Sequence, residues 1–432
     1  MSLEEGQLIT YGIDEIVMTF EELYLLTNKV QHYQPDPGSM QRSSNIYWKP
    51  LQQHGHEIEG WDITGPGADD ILELSISGSL SEPSNTFRTL RADDLRDETS
   101  YRRAIRADAM RLAGSMESKG LTKAAKFGSF CIAQSAAYGP GSGEVPVWDA
   151  LAEAETRMFD TEMYTDSGTC SFLNGNTYVK GGKALVEGSA NFSNSVPDQA
   201  YKDGKIQDQV AGFTEVYRHN KLINYPGYAG AALTIDGTVS ILPLANEPLP
   251  NGSNGNVDNR FGTITVTGST AGVVIGDKFK IAGVKAISIG EKVVQEYDQT
   301  FTIVSIASQV LTVSPRPMAF DDAALSDLQK EYTNINTQIT DLDALVFLNT
   351  TTRKSNVVMT RDSMVLASSP IPFNHELFQD LNARSFQVGP INGLIGFESN
   401  LGTLTGFYRI AIWYDWQVEK PMEVGILLDA QV

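Results

Sequence analysis

The chain has 432 residues, 41% of them hydrophobic and 20% charged, which provides for two or three packed domains and excludes a disordered polymer. Its 53 acidic residues against 33 lysines and arginines give a formal charge of -20, the opposite of what a surface gripping nucleic-acid phosphates needs. No apolar run reaches the roughly 18 residues of a membrane span, and Met1-Ser2-Leu3-Glu4-Glu5 lacks the basic start and apolar block of a secretory signal.

In chain order, Ile13 to Val30 has apolar residues at three- and four-residue steps and reads as a helix ended by Pro35 and Pro37. Short alternating runs follow, Ile46-Tyr47-Trp48 and Ile71 to Ile76, with Gly65-Pro66-Gly67 as a turn between them. This is a long two-stranded projection. A lone hairpin is marginal in water, so Trp48 and Trp61 are its expected apolar contacts with another surface. Asp93 to about Lys126 is the longest helix, with Leu95, Ile105, Ala109, Leu112 and Met116 as its apolar face. Arg102, Arg103, Arg106 and Arg111, set among Asp97, Glu98 and Asp108, read as an ion-paired face of that helix rather than a nucleic-acid site. Gly114, Gly120 and Gly128 make its far end a candidate bending region.

Val147 to Tyr164 reads as an amphipathic helix, and Ser171 to Leu222 as mixed strands and turns. From Ile223 the text becomes rich in Val, Ile and Thr. Ala231–Leu244, Phe261–Thr267, Lys278–Ile289 and Gln299–Ser314 are the strand-like runs of a small barrel or sandwich. Strands return in Ser385–Val388, Gly393–Phe397, Phe407–Trp413 and Val424–Leu428. The third is apolar on both faces, as a buried central strand would be.

No catalytic constellation is visible in the residues. His54-Gly-His56-Glu57 has metal-like spacing but no third ligand beside it, and His375 has no visible acid or base partner. Asp321-Asp322 reads as the solvated exit of the β region, its carboxylates pointing apart. Glycines 139, 141 and 143 do not fit a dinucleotide fingerprint. Cys131 and Cys170 cannot make a disulfide framework, so they read as thiols of a reducing cytoplasm. Asn191, Asn251 and Asn349 match the glycosylation pattern by chance. No catalytic site, cofactor or metal is expected.

Several phrases resemble the coat proteins of short-tailed, double-stranded-DNA bacteriophages of the lambdoid Salmonella type. They are Ser39-Met-Gln-Arg-Ser-Ser-Asn45, Glu59-Gly-Trp-Asp62, Leu90-Arg-Ala-Asp-Asp-Leu-Arg-Asp-Glu-Thr99, Gln209-Val-Ala-Gly-Phe213, Asn256-Val-Asp-Asn-Arg-Phe261, His375-Glu-Leu-Phe378 and Arg409-Ile-Ala-Ile-Trp-Tyr414. They run in family order along nearly the whole chain. The resemblance implies an α+β subunit of the tailed-phage coat fold, named after the Hong Kong ninety-seven phage, with an inserted all-β domain. It divides the chain into an N-terminal arm (1–38), an extended loop (39–80), a peripheral domain with the spine helix (81–130), the first part of an axial domain (131–222), the inserted domain (223–344) and an axial and peripheral return (345–432).

The partners so implied are further copies of the chain in pentameric and hexameric capsomers, a scaffolding protein and a portal. Double-stranded DNA would be enclosed without sequence-specific binding, and no membrane is involved. In relatives a loop of the inserted domain bridges capsomers partly through charge pairs. The matching Asn246 to Gly255 keeps Glu247 but has no Lys or Arg, so Glu247, Asn251 and Asn254 join Arg42, Trp48 and Trp61 as the expected interface residues. The rivals are a minor virion component such as a decoration protein, and a polysaccharide-binding or -degrading phage protein.

Overall fold

The computed structural model describes residues 5–36, 45–51, 74–80, 82–91, 98–161, 168–188, 210–248, 254–371, 382–400 and 405–431. The chain forms two compact units. The first is Met1–Tyr47 with Gly78–Gly120 and Val365–Gln417; the second is Trp48–Ser77 with Leu121–Met364 and Val418–Val432.

In the first unit, α1 (Glu5–Leu23) buries Ile9, Ile16 and Phe20 along one stripe. It starts and ends earlier than the expected Ile13 to Val30. The earlier end is set by a carboxylate: the backbone N–H groups of Leu26 and Thr27 donate to Glu117 at 2.8 and 3.1 Å, which draws the chain out of the helix before Thr27–Lys29 makes one tight turn. The long helix, α2 (Glu98–Phe127), has 30 residues and is therefore about 45 Å long. Ile105, Ala109, Leu112 and Met116 are buried on it as the spacing predicts, whereas Leu95 lies outside the described residues. Two of its arginines reach α1. Arg106 reaches Glu22 on α1 at 2.9 Å, and Arg102 lies over the Tyr11 ring at 4.5 Å.

A four-stranded antiparallel sheet runs in the order Asn382–Val388, Ile391–Asn400, Thr405–Ile412, Ser84–Arg91. The strand expected over Phe407–Trp413 is interior, but both of its faces are buried only in its second half. Ile410, Ala411 and Ile412 are buried, while Arg409 stays exposed and donates to Asn85 Oδ1 at 2.8 and 2.9 Å. The strand ends at Ile412, and Tyr414–Val418 joins a second sheet with Met364–Ser368 and Gln31–Tyr33.

In the second unit, a five-stranded mixed sheet is ordered Phe130–Ala133, Val424–Leu428, Asn356–Thr360, Thr169–Leu173, Glu215–Arg218. Its core takes Ala150, Leu151, Ala154 and Met158 from α3 (Val147–Asp160) and Tyr178 from α4 (Gly175–Gly188). The α3 helix is shorter than the expected run to Tyr164, which lies outside the described residues.

The Val/Ile/Thr-rich region forms a six-stranded antiparallel sheet, in the order Leu345–Phe347, Lys278–Ile287, Val294–Ala307, Val310–Ser314, Gly262–Thr267, Thr234–Ile235. Phe279, Phe301, Ile303, Leu311 and Val313 centre its core. Two strand expectations change here. Gln299–Ser314 is a hairpin turning at Ser308, whose φ is 57°, and Ala231–Leu244 supplies only Thr234–Ile235 because Gly237 takes a left-handed turn at φ 82°. The Asp321-Asp322 reading is corrected as well. Asp322 is buried, accepting from Ser240 Oγ at 2.6 Å and Ala324 N at 2.9 Å. Burial alone would raise its pKa, but these bonds hold it below the usual carboxylate range.

Candidate assembly sites

The expected projection is described at its root, the strands Ile46–Pro50 and Ser75–Ser79. Tyr47 is buried there with Leu80, Ala367 and Trp413, its ring 5.2 Å from that of Tyr33, and Gly78 leaves the room that ring occupies. Trp48 is half-buried at the root, and Lys49 pairs with Glu419 at 2.5 Å. Arg42, Trp61, His54 and His56 lie outside the described residues, as does His375.

Two bonds flank the Ser75–Ser79 strand, from Leu51 N to Leu74 O and from Leu80 N to Asn45 O. They turn the even-numbered backbone groups toward the partner strand, so Ser75 and Ser77 present theirs outward. Sequence reasoning missed what meets them. Asp258 Oδ2 accepts from Ser77 N at 3.2 Å and from Ser77 Oγ at 2.7 Å. Arg260 grips Asp258 with Nε at 3.0 Å and Nη2 at 2.6 Å, and extends Nη2 to Ser77 O at 2.5 Å and Nη1 to Val418 O at 2.7 Å. Asn259 N and Nδ2 donate to Ser75 O, and Nδ2 also to Leu244 O. Arg316 braces the same turn, donating to Asn259 Oδ1 at 3.1 Å and Leu242 O at 2.5 Å. Arg260 and Arg316 are each 7% exposed. Burial would raise the pKa of Asp258, but the Arg260 guanidinium holds it below the carboxylate norm.

The segment expected to bridge capsomers is described as two short antiparallel strands, Asn246–Pro248 against Asn254–Asn256, with Glu247 opposite Gly255. Glu247 is exposed, Asn254 lies on the returning strand, and Asn251 is outside the described residues.

Side chains reach into α2 from other elements of the first unit. Arg88 holds Asp108 in a two-pronged pair at 2.7 and 2.8 Å, and the buried Tyr408 hydroxyl donates to the same carboxylate. Glu117, 2% exposed, takes Leu26 N, Thr27 N and Thr27 Oγ1, and Trp416 Nε1 donates to Met116 O at 3.0 Å. The helix is continuous through Gly114 and Gly120. A Cβ at Gly120 would stand 2.5 Å from Leu26 Cδ2 and 2.7 Å from Trp416. At Gly128, in the second unit, it would stand 2.5 Å from the Val424 carbonyl oxygen. These two glycines thus have a packing reason, apart from any part in bending. Gly128→Ala is expected to destabilise the subunit by about 1–3 kcal/mol, because backbone has to move; a denaturation midpoint equal to that of the parent chain would contradict this.

Beside Gly128 lies Lys278, fully buried. Its Nζ donates to Gly128 O and to Thr302 Oγ1 at 2.8 Å, while Thr302 Oγ1 donates to Gly128 O at 2.8 Å. Burial lowers its pKa to about 7, partly opposed by Cys131 and Asp277. Cys131 and Cys170 are both buried free thiols, the first pushed up to about 12 by burial. Asn349 is also fully buried, donating to Asp277 Oδ1 and Pro226 O and accepting from Lys278 N. Among the described residues no group of three or more His, Cys, Asp or Glu could hold a metal ion, and no helix is long and apolar enough to cross a membrane.

The chain is thus α+β, with a 30-residue helix, a two-stranded sheet of Ile46–Pro50 and Ser75–Ser79, and a six-stranded β module. The family described as "P22 coat protein - gene protein 5" matches residues 1–429, and the chain belongs to that family. It is a major capsid protein with the tailed-phage coat fold, a structural component of a virion's icosahedral shell. Among solved structures it is similar to a protein of Mycobacterium phage Che8, at 9% identity over 93% of this chain and 90% of that one, with a TM-score of 0.44. It is also similar to the capsid of the cyanophage P-SCSP1u, at 10% identity over 96% and 88%, with a TM-score of 0.43. The CUS-3 coat protein I-domain matches at 30% identity over 27% of this chain and 96% of that one, with a TM-score of 0.22. The family match, not these likenesses, carries the assignment.

Proposed function

We propose that this subunit assembles in the bacterial cytoplasm, with a scaffolding protein and a portal ring, into a precursor shell of pentamers and hexamers. That shell expands as double-stranded DNA is packaged. The observation that carries the reading is the family match over residues 1–429. The charge of -20 supports it, because an acidic container repels the polymer it encloses instead of adsorbing it. The hairpin supports it too: two strands alone are marginal, and copies of the chain would bury what one leaves open. Arg42, Trp48, Trp61, Glu247, Asn251 and Asn254 are the proposed contacts between copies. Expansion needs two packings of one sequence, and Gly114, Gly120 and Gly128 are the proposed bending points of the long helix.

The test is expression of the chain with and without its scaffolding gene, followed by electron microscopy. Regular closed shells with the scaffold, and irregular shells or free capsomers without it, are expected. Indifference to the scaffold would remove that partner. Attachment to preformed shells without shell formation would favour a decoration protein instead.

A further inference from the structure

We propose that Asp258 and Arg260 form a clamp by which the β module fixes the root of the two-stranded hairpin, so that the module sets the direction in which the hairpin leaves the subunit. The proposal rests on the coat reading for its consequence in shell building, but the clamp itself is read from geometry. A two-stranded ribbon has two unpaired edges. On the Ser75–Ser79 strand, the outward groups of Ser75 and Ser77 are met by residues 257–260, beginning with a bridge between Ser75 and Asp258.

What meets Ser77 is unusual in being made of side chains. Asp258 takes its N–H and Arg260 takes its C=O, so one ion pair reads both backbone groups of a single residue, as a neighbouring strand would. The pair is two residues apart in sequence and is locked by two parallel bonds before it touches anything else. Its remaining donor, Arg260 Nη1, ties Val418 O to the same point. Asn259, between them, faces back into the module through Leu244 and Arg316. The fork is thus held rigidly from behind while it grips the strand in front. A buried ion pair contributes more to geometry than to net stability, which is what a directing clamp requires.

The experiment uses the full chain carrying Arg260→Met, which removes the fork, and Ser77→Ala, which removes only the hydroxyl bond. Hydrogen exchange in the free subunit is read first. Amides of Ile46–Lys49 and Ser75–Ser79 should exchange about tenfold faster or more in Arg260→Met, as expected when buried, charge-assisted bonds are lost, while Asn356–Thr360 and Val424–Leu428 keep their protection. Ser77→Ala should shift the same amides by less, and it carries the test if Arg260→Met fails to fold. With scaffold, the variant should give several-fold fewer closed shells than the parent. Unchanged exchange at the root would overturn the proposal. So would faster exchange with shells of normal yield and size. If the parent chain itself makes no shells, the coat reading fails as well; shells from parent and variant alike defeat the clamp alone.

Discussion

Replacing Glu117 with alanine is expected to cost the folded subunit about 3–5 kcal/mol, among the larger effects a single residue here can have. The carboxylate is 2% exposed and accepts three bonds, from Leu26 N, Thr27 N and Thr27 Oγ1. Alanine leaves two backbone donors and a hydroxyl in a dry place, and each unsatisfied group costs about 1–3 kcal/mol in such a setting. The same bonds end α1 and turn the chain toward Gln31–Tyr33, so their loss should also loosen that strand's parallel pairing with Met364–Ser368. Glu117→Gln keeps one acceptor oxygen and should lose less than half as much. Denaturant titration of the free subunit checks both. If Glu117→Ala unfolds within about 1 kcal/mol of the parent chain, the Glu117 bonds are not what hold the turn after α1.

Lys278→Met is expected to have the opposite sign near neutral pH. The folded chain releases the Lys278 proton at about pH 7, whereas the unfolded chain holds it to about 10.5. Between those values the unfolded state binds more protons, so this residue makes stability rise with pH, by up to about 1.4 kcal/mol per unit. Below about 7 both states are charged, and the full burial penalty is present. Methionine has no proton to lose and nearly fills the same space. It leaves Gly128 O bonded to Thr302 Oγ1, so no acceptor is stranded. The variant should therefore be more stable than the parent at pH 7 and should lack this rise toward pH 10. Cys131 and Asp277 face the same amine, and their contributions are largely removed by comparing the two chains. Parallel stability curves for the two proteins would show that Lys278 does not titrate in this window.

The contrast between these residues and their sequence context shows where reading from residue pattern succeeds. The apolar face of α2 was legible because Ile105, Ala109, Leu112 and Met116 follow the helical period, and burial enforces that period. The β module was legible from composition, since Val, Ile and Thr runs broken by turn residues have few other solutions. Partners were not. Asp108 stands among arginines on its own helix yet binds Arg88 on a strand, because a buried carboxylate takes the donor that arrives in the right geometry, not the nearest in sequence. Lys278 sits in Lys-Phe-Lys-Ile, an alternation that reads as a solvated face, but strands on both sides and the end of α2 cover it. The Asp258–Arg260 pair was visible only as part of a family phrase. Its targets Ser77 and Val418 are 181 and 158 positions away, a distance that no local pattern encodes.

A particle reconstruction by cryo-electron microscopy, from cells expressing this chain with the proposed scaffolding protein, decides whether copies of the hairpin overlap in a shell. It should show an icosahedral shell in which each subunit's hairpin, rising from Ile46–Pro50 and Ser75–Ser79, is laid against a neighbouring copy. A purified chain that stays a discrete monomer, with that hairpin folded back and covered by its own subunit, would contradict it.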